Sequence, residues 1–264
     1  MAEPTSRNNP KIKLARSLQQ RKFRRETGLF LVEGLRHVGE LLASGQPVEY
    51  LCYAPDILIS PFARETLEQA KMRGLPILTL TPETLASLGE RDGADGIIAV
   101  AKQNPRPLSD LDPQTCPLGV ALVSPQDPGN LGTILRTMDA AGARGLLLLD
   151  GGADAWHPTA VRASMGALFW QPIVQTGFAE FSDWARAQGY HVYGTSAHGT
   201  ADFRETSYLR PAILLLGSER EGLTPEQAAA CEKLVRIPMG GRGTSLNLAV
   251  AAGVMLYEMS GENR

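Results

Sequence analysis

The stretch Leu118-Gly-Val-Ala-Leu-Val-Ser-Pro-Gln-Asp-Pro-Gly-Asn-Leu-Gly-Thr-Ile-Leu-Arg136 decides the fold class. Six residues dominated by apolar side chains, too few for a helix and bounded by a turn, predict a buried strand to Val123. Ser124 to Gly129 then form a polar loop, and Leu131 to Ala141 predict a helix ended by Gly142. A strand feeding a helix through a short polar loop is the repeating step of an α/β protein.

Outward from this step the pattern repeats. Strands are predicted at Gly145 to Leu149, Pro172 to Gln175, His191 to Thr195, Ala212 to Leu216 and Leu234 to Ile237. Near-continuous apolar runs separated by helices predict a parallel sheet covered on both faces. A final Ala-rich helix, about Leu246 to Met259, is apolar enough to be buried against the sheet or a partner subunit. Upstream, strands at Leu29 to Val32, Val48 to Tyr53, Pro76 to Leu80 and Gly96 to Ala101 alternate with helices at Gly34 to Ala43, Pro61 to Met72 and Pro82 to Leu88. Residues 103–117 contain four prolines and no periodicity, so they read as a linker. The expected organisation is an N-terminal basic arm and α/β domain over 1–102, a linker over 103–117, and a second α/β domain over 118–264.

Composition narrows the function classes. The longest apolar runs are far below the roughly 18 residues a membrane helix needs, and no apolar core follows the N-terminus, so a cytoplasmic protein is expected. Three cysteines, Cys52, Cys116 and Cys231, fit neither a disulfide framework nor a zinc site. They are expected as buried small hydrophobes. His37, His157, His191 and His198 show no ligand spacing, so no metal is expected. The net charge is −2, yet Arg7, Lys11, Lys13, Arg16, Arg21, Lys22, Arg24 and Arg25 crowd the first 25 residues against Glu3 alone. Such an arm neutralises phosphates and gives salt-sensitive affinity for nucleic acid; a solvated helix or tail is the alternative.

Three motifs sit where apolar runs meet turns. In Asn130-Leu-Gly-Thr-Ile-Leu-Arg136, Asn130 is placed as a helix cap and Arg136 less than two turns further on, where its fork can pair with phosphate or a hydroxyl. Gly217-Ser-Glu-Arg-Glu-Gly-Leu223 follows the most hydrophobic strand. Gly217 is a candidate floor for a planar ligand, and Glu219 an acceptor, a base or simply a charge partner of Arg220. Ile237-Pro-Met239 leads through a Gly-rich loop to Ser245-Leu-Asn247 at a helix start, with Ser245 as a candidate cap. That loop has no Lys, and its apolar flanks suit an adenine ring and thioether better than a triphosphate. No dinucleotide turn and no P-loop is present.

In this order and spacing the three motifs resemble the signatures of the SpoU family of the SPOUT superfamily, the RNA ribose 2′-O-methyltransferases. His157 to Phe169 looks like the family segment between the first two motifs. Ser6 to Lys13 and Gly28 to Gly34 look like the substrate-binding extension of its rRNA-modifying members. The resemblance implies a C-terminal sheet closed by a deep trefoil knot, against the usual rule of unknotted connections, and a small RNA-binding N-terminal domain. It implies S-adenosylmethionine held near Thr195, Gly217, Ile237, Met239 and Leu246, and a homodimer. Arg136, Asn130, Glu219, Ser245 and Asn247 carry over as the catalytic set. Because Arg stays protonated, Arg136 is expected to orient the hydroxyl or phosphate and stabilise negative charge, with Glu219 the better proton acceptor. Arg220 departs from the family pattern, where Gly is common. The expected substrate is rRNA ahead of tRNA. The other readings are a non-catalytic RNA-binding assembly factor and a nucleotide-dependent oxidoreductase; bound S-adenosylmethionine argues against the former, salt-sensitive RNA binding against the latter.

Overall fold

The computed structural model describes residues 5–89 and 96–261. In chain order the elements are α1 (Pro10–Ser17), α2 (Arg21–Thr27), β1 (Leu29–Glu33), α3 (Leu35–Ala43), β2 (Val48–Tyr53), α4 (Pro61–Met72), β3 (Ile77–Thr79), α5 (Pro82–Ala86) and β4 (Ile97–Lys102). Then come β5 (Pro105–Arg106), β6 (Leu118–Val123), α6 (Pro128–Ala141), β7 (Leu146–Leu149), α7 (Pro158–Ala163), β8 (Ile173–Thr176), α8 (Phe178–Ala187) and β9 (His191–Thr195). The chain ends with β10 (Ala201–Asp202), β11 (Ala212–Leu216), α9 (Pro225–Ala229), β12 (Lys233–Arg236) and α10 (Leu248–Gly261). No helix among the described residues is long and apolar enough to cross a membrane.

The chain forms two compact units, one of residues 1–104 with 154–170, the other of 105–153 with 171–264. In the first unit the strands lie in the order β1-β4-β2-β3, with β4 antiparallel to both neighbours and β2 parallel to β3. Its core joins Leu31, Cys52 and Ile98 of the sheet to Ile12 and Ala15 of α1 and to Leu18 just after it. The described part of the basic arm is therefore folded, and its apolar residues cover the sheet. Residues 154–170, which the sequence places within a continuous second domain, pack instead with this unit: α7 lies against β1, and the Phe169 ring sits 6.5 Å from that of Phe30.

In the second unit the order is β10-β12-β9-β11-β6-β7-β8-β5, and every pair is parallel. Central β11 is buried at every position, as expected for a strand covered on both faces. The stretch read as a linker contributes the edge strand β5, and Leu108, Leu111 and Cys116 bury into the core beside it. Helix α10 packs on α6 and β11, with Met255, Leu256 and Met259 fully buried. Because β6, β11, β9 and β12 are adjacent and parallel, the loops leaving all four emerge side by side at one carboxyl edge of the sheet. Open α/β sheets place their ligands at this edge.

Candidate active site

Three of these loops, those after β6, β11 and β12, bring one sequence motif each to that edge, and β9 ends there at Thr195. The first begins at Ser124, whose φ of 42° is rare for a non-Gly residue and whose hydroxyl donates to the Asp150 carbonyl at 3.1 Å. Helix α6 then starts one turn earlier than expected. Asp127, not Asn130, is the cap: its Oδ1 accepts from the backbone N–H groups of Gly129 and Asn130, and Pro128 takes the first helical position. Pro is favoured there because its missing N–H has no intrahelical partner to lose. That frees the Asn130 side chain for another task.

Motif two supplies the partner. Glu219 Oε1 accepts from the Asn130 side-chain amide at 3.3 Å and from the Asp127 N–H at 3.4 Å, and the Gln126 N–H lies 3.0 Å from Oε2. The carboxylate thus clamps the motif-one loop rather than pairing with Arg220. Motif three completes the chain of bonds. Asn247 Oδ1 accepts from the N–H groups of Ala249 and Val250, so this residue, rather than Ser245, caps α10. Its amide nitrogen is left to donate to Asn130 Oδ1 at 2.9 Å. The direction of both amides follows from chemistry: backbone donors claim the Asn247 oxygen, and a carboxylate claims the Asn130 nitrogen. One line, Glu219 to Asn130 to Asn247, therefore joins the three motifs.

Other expected residues stand nearby without joining this line. Arg136 lies on the exposed face of α6 and makes no hydrogen bond or ion pair among the described residues. Ser245 is exposed in the loop before α10. Thr195 ends β9, directly opposite Val235 of β12. Gly217 is buried, and the space a Cβ would need is filled by the carbonyl of Gly222 and the N–H of Leu223, because Ser218 and Gly222 close a tight bridge. The expected open floor beneath a planar ligand is thus occupied by the chain's own backbone. Ile237 is half-buried just past β12, while Met239 and Leu246 are 39% and 36% exposed.

These residues fit an adenosyl cofactor. Apolar side chains stand open to solvent around a glycine loop where a Cβ on Gly240 or Gly241 would meet nothing within 4 Å. Among the described residues, the main chain from Pro238 to Leu246 makes no backbone hydrogen bond of its own. Free peptide groups beside an apolar face are what a purine and a thioether require. No group of three potential metal ligands occurs among the described residues.

In the first unit the arm divides its charges. Arg24, counted in the sequence among the phosphate-neutralising cations, is 1% exposed and bound to Asp154 at 2.8 Å. Arg7 and Arg16 donate to Thr84 and Ser87, and Lys11 sits 5.2 Å above the Tyr50 ring. Lys13, Arg21 and Arg25 are exposed and have no partner among the described residues.

The sequence profile of the SpoU rRNA Methylase family matches residues 117–257, and that of the MRM3-like substrate binding domain matches residues 9–99. A 23S rRNA (uridine(2479)-2′-O)-methyltransferase of Streptomyces viridochromogenes is 35% identical over 96% of this chain and 90% of its own length. The 23S rRNA (guanosine(2553)-2′-O)-methyltransferase RlmP of Bacillus subtilis is 30% identical over 99% of this chain and 100% of its own. Among solved structures, the AdoMet-bound rRNA methyltransferase from Sinorhizobium meliloti superposes with a TM-score of 0.89 at 38% identity, covering 98% of this chain and 97% of that one.

Proposed function

This chain belongs to the SpoU rRNA methylase family, and on that premise we propose that it methylates a ribose 2′-hydroxyl of 23S rRNA in the cytoplasm, using S-adenosylmethionine. The observation that carries the reading is the hydrogen-bonded line through Glu219, Asn130 and Asn247, which assembles the three motifs at the carboxyl edge of β6, β11 and β12.

When bound, S-adenosylmethionine supplies a methyl group on a positively charged sulfur, and transfer forms the O–CH3 bond as the C–S bond breaks. The chain's residues must hold the ribose oxygen in line with that bond and exclude competing poses. Ile237, Met239 and Leu246 would hold the cofactor's apolar parts, with Thr195 and the Gly217 backbone at the adjoining strand ends. Arg136, its guanidinium free on α6, contacts the ribose-phosphate and stabilises negative charge growing on the 2′-oxygen. Glu219 and Asn247 act as positioning residues for Asn130 and its loop. Ser245, exposed in the loop, would donate to the ribose or to the cofactor. The hydroxyl proton leaves to solvent, because the Glu219 oxygens already face the N–H groups of the motif-one loop.

The trefoil threading belongs to the same reading. It is supported by β11 lying between β6 and β9 although it follows both in sequence. So does a homodimer: Val250 and Tyr257 lie two turns apart on α10 and are 51% and 57% exposed, an apolar stripe of the kind subunits cover. Val250→Glu should then yield monomers by analytical ultracentrifugation, and an unchanged sedimentation coefficient at every concentration would remove the stripe from the interface. Lys13, Arg21 and Arg25 make the first unit the electrostatic grip on RNA.

The test is transfer of labelled methyl from S-adenosylmethionine to 23S rRNA and to tRNA from cells lacking the protein. Alkali-resistant label in one 23S fragment is the expected result. Label confined to tRNA, or to a base, would overturn the assignment.

A further inference from the structure

The motif-one loop has a second support, to which Glu219 contributes nothing. Ser124, the first residue after β6, sits at φ 42°, a conformation that is costly for a side chain and persists only where the surroundings fix it. Its N–H donates to the Leu149 carbonyl at 2.8 Å, its hydroxyl donates to the Asp150 carbonyl at 3.1 Å, and its own carbonyl accepts from the Gln126 side-chain amide at 2.7 Å. The next carbonyl, that of Pro125, accepts from the Ala153 N–H at 2.5 Å. Leu149, Asp150 and Ala153 all belong to the end of β7 and the loop that leaves it.

That loop is shaped for close approach. Asp150, Gly151 and Gly152 have φ of 57°, 85° and 100°. At Gly152 a Cβ would stand 2.4 Å from the Pro125 carbonyl oxygen, 2.7 Å from the Ser124 carbonyl carbon and 2.8 Å from Pro125 N, so a side chain there must displace the Ser124–Pro125 peptide. The loop is fixed in turn to the next strand and helix. The Asp150 N–H donates to the Thr176 carbonyl at 3.1 Å, and Asp150 Oδ1 accepts from the Phe178 N–H at 2.9 Å, capping α8, whose own cap position holds Gly177. Adjacent strands β6, β7 and β8 thus pass a series of main-chain contacts to the motif-one loop, all of it within one compact unit.

A left-handed residue turns the chain. Directly after this turn come the Gln126 and Asp127 N–H groups that face Glu219, and the Asp127 carboxylate that caps α6. Glu219 holds these groups where they arrive; the turn decides where that is. We infer that Ser124 and Gly152 are positioning residues for methyl transfer: the left-handed turn at Ser124, braced by the close approach of Gly152, sets where α6 begins and therefore where Asn130 and Arg136 stand. Its kinetic consequence rests on the methyltransferase reading.

The test uses the full chain with Ser124→Gly, Ser124→Ala and Gly152→Ala. Glycine adopts φ 42° without strain, which offsets the lost hydroxyl bond, so Ser124→Gly should keep the urea midpoint of the wild type. Hydrogen exchange over residues 124–130 is followed beside the single-turnover rate at saturating rRNA and the apparent KM for rRNA. Ser124→Gly should speed that exchange about threefold or more and lower the saturating rate about tenfold, while KM moves less than about twofold. Ser124→Ala, which loses the hydroxyl bond but keeps the backbone preference of a side chain, should fall between it and the wild type. Gly152→Ala should act as Ser124→Gly does, and the double variant should lose little more than the worse single one; where Gly152→Ala does not fold, the two Ser124 variants decide alone. Unchanged exchange over 124–130 in Ser124→Gly, a saturating rate within about twofold of wild type, or a rate loss matched by a fall in the urea midpoint would overturn the inference. If the wild-type chain methylates no rRNA, the exchange result still decides whether the turn is held this way, and the failure belongs to the assigned activity.

Discussion

Glu219→Gln separates two roles for the motif-two carboxylate. Its oxygens face N–H donors from Gln126 at 3.0 and 3.2 Å, Asp127 at 3.4 Å and Asn130 at 3.3 Å. These bonds are long and partly open to water, so each is worth less than about 1 kcal/mol after screening. Glu219→Ala removes all of them and should cost about 2 kcal/mol in holding the loop; Glu219→Gln retains one acceptor oxygen and turns an amide donor toward the others, costing about 1 kcal/mol. If that loss passes fully into the transition state, the rate falls about 30-fold for Ala and about fivefold for Gln. The assay is single-turnover methyl transfer at saturating rRNA, with the urea midpoint measured on the same preparations. A general base would behave otherwise: Gln, unable to take a proton, would lose on the order of 10²- to 10⁴-fold with its fold untouched. Equal losses above about a thousandfold for Gln and Ala at an unchanged midpoint would therefore refute the clamp.

Asn247→Asp keeps the oxygen that caps α10 but sets an acceptor against the Asn130 oxygen; thermal stability should hold while methyl transfer drops about tenfold or more, whereas Asn247→Ala should also lose about 1 kcal/mol of stability. Removing the basic arm is a poor test of RNA binding, because Ile12, Ala15 and Leu18 are core residues. Lys13→Glu with Arg21→Glu should instead leave the unfolding midpoint near wild type and flatten the slope of log affinity against log salt by about two. Stability should also fall in alkali. Burial pushes Cys52 up to about 12 and Cys231 up to about 11, and raises Tyr50 and Tyr190 as well. The folded state thus keeps protons that the unfolded chain releases from about pH 9 upward, so stability present below that pH is lost as pH climbs through the folded values. Denaturant midpoints constant to pH 8 and declining between about 9 and 11 are expected, and a flat profile would show that these groups remain solvated.

Much of this architecture is legible in the chain because periodicity and punctuation agree. The runs at 118–123, 191–195 and 212–216 are strands with the expected bounds, and Gly142 ends α6 in the left-handed conformation its position requires. Two-residue edge strands such as β5 and β10 carry too little pattern to be read. Pro128 at a first helical position points to Asp127 before it as the cap of α6. Ser245 and Asn247 are both good caps, and only the distance to Asn130 decides between them. Residues 154–170 are harder: an apolar helix turn flanked by polar residues says that it is buried but not against which sheet, and Arg24 gives no sign in sequence that its charge faces inward. The three motifs were legible as a group, but not the bonds between them, which depend on strands adjacent in space and far apart in sequence.

The line from Glu219 through Asn130 to Asn247 also has a consequence in time. Ribosomal synthesis proceeds from the N-terminus and folds domains as they emerge. A growing chain holds Asn130 early and Glu219 much later, yet Asn130 has nothing to orient its oxygen until residue 247 and the helix it caps have left the exit tunnel. The strands of the sheet can all pair before that moment. The reacting loop is thus completed only once residue 247 has emerged, and until then a nascent chain that already presents Lys13, Arg21 and Arg25 has no finished site.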